Sequence, residues 1–175
     1  MKLYLISLGC AKNLVDSEVI AGKMALAGFS YTTNINEADV IVLNTCAFIG
    51  SARKEAKNYI KKIIKFINNN NSFRPLFIVS GCLPQLEKKQ LIAEFPEIDA
   101  IVGIDEFVKI PNIIKKLKSN KKHLYSKNCL VHFEQKKSFV KQEPYFIYTN
   151  TSPRIISTPK SYAYLKIADG CDNRC

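Results

Sequence analysis

VIVLNTC, residues 40–46, is a short apolar run that ends on a cysteine, and its reading decides the fold. The run is too short and too continuously apolar for an exposed helix, and it is rich in β-branched residues, so it predicts a buried strand over 40–45. The same grammar appears twice more. KLYLISLGC (2–10) gives a strand over 2–8, then Gly9 and Cys10; LFIVSGC (76–82) gives a strand over 76–81, then Cys82. DAIVG (99–103) is a fourth strand of the same character.

Between these strands the apolar period changes to that of helices. Val15 to Ala27 places Val15, Val19, Ile20, Met24 and Ala27 on one side, and Gly28 stands where a helix ends. Ser51 caps a helix to about Ile67, with Ala56, Ile60, Ile63, Ile64 and Ile67 inward and a row of lysines mostly outward. Leu83-Pro84 opens a third helix to about Phe95, and Glu106 to Lys118 forms a fourth, expected to be disturbed near Pro111. Buried strands alternating with helices predict an α/β fold: an open doubly wound parallel sheet with right-handed crossovers, covered on both faces. The sheet domain takes residues 1–118. Residues 119–160, rich in Lys, Ser, Thr and Pro, read as an irregular or hairpin-bearing linker in which PYFIYT (144–149) is strand-like. Tyr162 to Ala168 begins a fresh strand in a second unit, 161–175.

The 175 residues suffice for one domain and the start of another, and 47% hydrophobic content is that of a globular core. No apolar stretch approaches the roughly 18 residues of a membrane span. MKLYLISLGC superficially resembles a lipoprotein leader, but its apolar part is very short and Leu8, ahead of Gly9, is not small; a cytoplasmic, non-membrane protein is expected. The net charge of +11 favours an acidic partner such as RNA or a ribonucleoprotein surface. Only four of the 26 basic residues are arginine, however, so much of this charge reads as solvated lysine.

Six cysteines are too sparse for a secreted disulfide scaffold, and in a reducing compartment they point to metal or catalysis. Cys10, Cys46 and Cys82 lie 36 residues apart, each just beyond a strand. In a parallel sheet the carboxyl ends of the strands share one edge, where ligands bind, so three distant thiols converge by topology. The plainer alternative is that each is a small buried hydrophobe. Three thiolates suit a 4Fe–4S cluster with one iron free of protein, and zinc with a water is the competing choice. Cys171 and Cys175 form a CxxxC pair in a glycine-bearing loop of turn-forming residues, behind the strand SYAYLKIAD. Cys129 reads as a bystander, and His123 and His132 as surface residues of the linker. There is no Walker or G-x-G-x-x-G loop and no serine–histidine–acid grouping, so no catalytic side chain is assigned.

SLGCAKNLVDSE (7–18), LNTCAFI (43–49), SGCLPQ (80–85) and YAYLKIADGCDNRC (162–175) together resemble the methylthiotransferases of the radical S-adenosylmethionine superfamily. KNLVDSE and TPKSYAYLKIADGCDNRC are most similar to the branch that thiomethylates an aspartate of a small-subunit ribosomal protein at the decoding centre; the tRNA-modifying branch is the alternative. Ala11 stands where that branch commonly has proline. The resemblance implies a first 4Fe–4S cluster on Cys10, Cys46 and Cys82, and a second on Cys171 and Cys175 as the first two cysteines of CxxxCxxC, whose third ligand this chain lacks. It also implies S-adenosylmethionine as cosubstrate, an electron donor, the ribosomal protein or subunit as partner, and beyond this chain a radical barrel and an RNA-binding-type module. A chain ending inside the second motif is expected to be inactive alone. Two readings from other classes remain: a non-catalytic cluster or zinc module, and a flavodoxin-like binding domain with structural thiols.

Overall fold

The computed structural model describes residues 1–70, 73–104, 106–121, 138–139, 149 and 151–168. In chain order the elements are β1 (Lys2–Ser7), α1 (Ala11–Leu26), β2 (Ser30–Tyr31), β3 (Val40–Thr45), α2 (Gly50–Asn69), β4 (Leu76–Gly81), α3 (Cys82–Leu86), α4 (Lys88–Glu94), β5 (Ala100–Val102), α5 (Ile110–Lys121) and β6 (Ser138–Phe139). Single 3-10 turns occupy Ile35–Glu37 and Phe107–Lys109.

The six strands form one sheet in the order β2-β1-β3-β4-β5-β6, and every neighbouring pair is parallel. Leu3 is level with Val40, Val40 with Leu76, and Ile78 with Ala100. Successive strand side chains point to opposite faces, and both faces are buried, which is why β3 and β4 contain unbroken apolar runs. On one face Ile41, Leu43, Phe77 and Val79 meet Ile60, Ile63 and Ile67 of α2 and Leu91 of α4. On the other, Val40, Val42, Ile78 and Val102 meet Val19, Ile20 and Met24 of α1 and Ile110, Ile113 and Ile114 of α5. Each buried aliphatic side chain contributes about 1.5–3 kcal/mol, so these two layers account for most of the favourable energy.

The expected doubly wound α/β sheet is therefore present. Its order reverses at β1: the chain steps out to β2, then returns across β1 to build β3, β4 and β5 on the other side. Ligand crevices in open parallel sheets lie at such a switch point, here between β1 and β3.

Several details differ from the expectation. Helix α1 begins at Ala11, a full turn before Val15. The single helix expected over Leu83–Phe95 is two, broken at Glu87, whose φ −114° and ψ 33° leave the helical region. Lys57 of α2 bridges the break, reaching Glu87 and Glu94 at 2.8 Å each. The helix expected over Glu106–Lys118 is disturbed beside Pro111, as expected: Phe107–Lys109 form a 3-10 turn, and α5 starts at Ile110 with Pro111 in its first turn, where its missing N–H would have no helical partner. Within the expected linker, Ser138–Phe139 join the sheet as β6 beside β5, and residues 119–121 belong to α5. Residues 162–168 form no strand ladder among the described residues; instead the Lys166 side chain reaches Asp16 of α1, and the Tyr164 carbonyl accepts from Arg154. Of PYFIYT, all but Thr149 falls outside the described residues. Among those described, no helix is long and apolar enough to cross a membrane.

Candidate functional site

Since β1, β3 and β4 are adjacent and parallel, their carboxyl ends form a single edge. Cys10 stands there as the N-cap of α1, Cys46 directly follows β3, and Cys82 is the first residue of α3. Cys46 is buried, Cys82 half-buried and Cys10 exposed, and all three are free thiols. The edge is closely packed. Gly9 has φ +97°, and a methyl in place of its hydrogen would collide with the Cys46 side chain. Gly81, ahead of Cys82, has the same φ.

Asn13, one turn into α1, ties the three loops together. Its Nδ2 donates to the Leu8 carbonyl at 3.0 Å, and its Oδ1 accepts the Cys82 thiol at 3.7 Å. Its own carbonyl accepts Nδ2 of Asn44, at the end of β3, at 3.0 Å. The second hydrogen of that amide goes to Ser17 Oγ at 2.9 Å, and Ser17 Oγ lies 2.7 Å from Ser7 Oγ at the end of β1. Thr45 Oγ1 donates to the Ser80 carbonyl at 2.6 Å, joining β3 to β4. These amides are buried, and leaving either unpaired would cost about 1–3 kcal/mol. Sequence reasoning did not identify Asn13, Asn44 or Ser17 as site residues. A signal for two was available: positions 13 and 17 share a helix face with Cys10.

Burial pushes the Cys82 thiol above its usual range; Cys46, Asp16 and Cys10 push it further up, and Lys12 opposes them. Such coupling between thiols far apart in sequence is a consequence of their convergence. A bound metal would reverse the balance, because its positive charge deprotonates a coordinating thiol. The local backbone assists: α1 and α2 both start beside this edge without a side-chain cap, so their first N–H groups offer partial positive charge to thiolates.

An open hollow of about 550 Å³ lies in front, lined by Gly9, Cys10, Cys46, Phe48, Ile49 and Glu55 among others. Phe48 is 89% exposed and gives the hollow an apolar rim. Among the described residues, no three His, Cys, Asp or Glu side chains stand close enough together to hold a single metal ion. Of the expected ligands, Cys10, Cys46 and Cys82 follow three strands at the same sheet edge, while Cys171 and Cys175 lie outside the described residues, as do Cys129, His123 and His132.

A parallel sheet with a thiol-lined switch point defines the class, and comparison with known proteins gives the family. The family model described as "Uncharacterized protein family UPF0004" matches residues 2–103, and the chain belongs to that family. Over its whole length the chain is similar to proteins named "Ribosomal protein uS12 methylthiotransferase RimO". It is 45% identical over 175 residues to that of Caldicellulosiruptor saccharolyticus, covering 100% of this chain and 36% of the relative. It is 41% identical over 174 residues to that of Acetivibrio thermocellus (99% and 36%), and 39% identical over 175 residues to that of Heliobacterium modesticaldum (100% and 34%). The chain thus spans about a third of the length of the curated relatives it matches.

Proposed function

We propose that this chain is the N-terminal, cluster-binding part of a methylthiotransferase that uses S-adenosylmethionine and two 4Fe–4S clusters to thiomethylate an aspartate of a small-subunit ribosomal protein, in the cytoplasm. The observation that carries the reading is the placement of Cys10, Cys46 and Cys82 along the carboxyl edge of β1, β3 and β4, beside the sheet's switch point. Its substrate side is supported by relatives whose printed names specify uS12.

The donor set fits an iron–sulfur cluster better than zinc. Structural zinc draws its ligands into one tetrahedron, whereas a 4Fe–4S cluster takes each thiolate on a separate iron and tolerates a wider spread. Three thiolates on three loops, none paired locally, match the second pattern. When bound, the cluster would supply the sulfur to be transferred at an iron that no protein ligand occupies.

The chain's residues would do the rest. Cys10, Cys46 and Cys82 hold the group as thiolates; Asn13 and Asn44 fix the three loops around it; Phe48 and Ile49 exclude water from its rim. The sheet unit runs through α5 and takes in β6, and residues 161–175 begin the second unit. There Cys171 and Cys175 would hold part of the second cluster, which would supply the electron for chemistry on S-adenosylmethionine. The partners are the ribosomal protein or subunit, with its RNA, and an electron donor.

Iron and acid-labile sulfide per chain, measured after anaerobic reconstitution of the wild type and Cys46→Ala, test the site. Iron and sulfide in equal amounts, lost in the variant without loss of the fold, support it; zinc, or iron indifferent to Cys46, overturns it. Joining this chain to the remaining length of the Caldicellulosiruptor relative, in cells lacking the activity, tests the substrate. Added methylthio mass on the ribosomal protein supports the proposal, and mass on tRNA alone transfers it to the other branch.

A further inference from the structure

Residues 153–166 lie along α1, and their contacts concentrate on three of its residues. Glu18 is 2% exposed, and its carboxylate accepts the Ser157 N–H, the Ser157 hydroxyl and Arg154 Nε, each at 2.7 Å. The Glu18 carbonyl accepts the Ile155 N–H at 3.0 Å. Asp16 pairs with Lys166 Nζ at 2.8 Å, with the two side chains only 5% and 6% exposed. Gly22 lies one turn beyond Glu18, and a methyl there would collide with the Pro153 carbonyl. A glycine inside a helix costs on the order of 1 kcal/mol relative to alanine, and a buried carboxylate is unfavourable unless paired. Both features of α1 make physical sense as a receptor for this segment.

The same helix holds the first thiol set at its other end. Cys10 caps it and Asn13 braces Cys82, while Asp16 follows Cys10 by six residues and Lys166 precedes Cys171 by five. We propose that α1 is a two-ended positioning element: its N-terminus frames the first thiol site, while Asp16, Glu18 and Gly22 clamp the segment that leads to the second. The register of residues 153–166 against the first thiol site is then fixed by docking on α1, not by the length of the preceding chain. The functional meaning of that register rests on the two-cluster reading above; the clamp itself does not.

The test uses this chain without metal. Spin labels go on Cys10 and on the cysteine introduced by Lys160→Cys, with the other five cysteines replaced by serine, and pulsed electron paramagnetic resonance gives the distance distribution. A single narrow distribution is expected with the native clamp. It should broaden at least twofold in Gly22→Ala, which favours the helix but blocks the seat of Pro153, and in Glu18→Gln, with circular dichroism unchanged. A distribution already broad with the native clamp, or one that stays narrow in both variants, overturns the proposal. Iron content of the unlabelled chain is read in parallel. No iron with a narrow distribution upholds the clamp and sinks the cluster reading, whereas full iron with a broad distribution sinks the clamp alone.

Discussion

Gly9 carries two constraints at one residue: a left-handed backbone and a side-chain position already filled by Cys46. Gly9→Ala therefore pays twice, for strain and for collision, and each is worth on the order of 1–3 kcal/mol. The variant is expected to lower the urea midpoint clearly and to lose bound iron, because the collision displaces a ligand. Cys46→Ala separates the two effects. A buried thiol packs as a small hydrophobe, so its removal leaves a minor gap and costs about 1–2 kcal/mol, while iron is lost entirely. Equal iron in wild type and Gly9→Ala would show that the β1 loop can move away from Cys46 without consequence, and the packed edge described above would not matter for the ligand.

At the level of elements, the tie between β3 and α1 rests on Asn44, whose amide gives one hydrogen to the Asn13 carbonyl and the other to Ser17. Asn44→Ala leaves those buried acceptors without that donor, and a loss of about 1–3 kcal/mol is expected with an unchanged denaturant slope. The first turn of α1 should also fray, seen as faster exchange of the Leu14 amide, which is bonded to the Cys10 carbonyl at 3.1 Å. Protection unchanged at Leu14 would rule out this tie as the support of the first thiol. The strands and the placement of three thiols were legible in the sequence because a strand buried on both faces is an unbroken apolar run, and the residue after it is marked by position alone. The start of α1 was not, since cysteine is not among the usual N-cap residues. The break at Glu87 was equally hidden, being bridged by Lys57 from another helix, and the two-residue strands β2 and β6 are too short to show a period. The asparagine cradle was missed for a related reason: its partners come from elements that meet only in the folded chain.

Across the whole molecule, the sheet and the clamp are expected to respond differently to acid, because apolar layers hold the strands of the sheet on both faces whereas the clamp is built around buried carboxylates. Burial alone would raise the Glu18 carboxyl, but the hydrogen bonds from Ser157 and the hydrogen bond and charge of Arg154 outweigh it and hold it below its usual 4.5. A carboxyl depressed on folding contributes its stabilisation in full above the unfolded value, and loses it as pH falls through the lower folded value. Docking of residues 153–166 should thus be complete at neutral pH and should weaken only below about pH 4.5. The groups facing this carboxylate are Arg154 and Ser157, and Lys166 serves Asp16 alongside. Hydrogen exchange at Ile155 and Ser157, followed from pH 6 to pH 3 with correction for the intrinsic rate, is expected to lose protection in acid while the amides of β3 and β4 stay protected. Glu18→Gln, which cannot ionise, should flatten that dependence and leave protection low throughout. Loss of strand and clamp protection together at one pH would mean that the segment is part of the same cooperative unit as the sheet, and α1 would then hold it as an integral layer and not as a separable clamp.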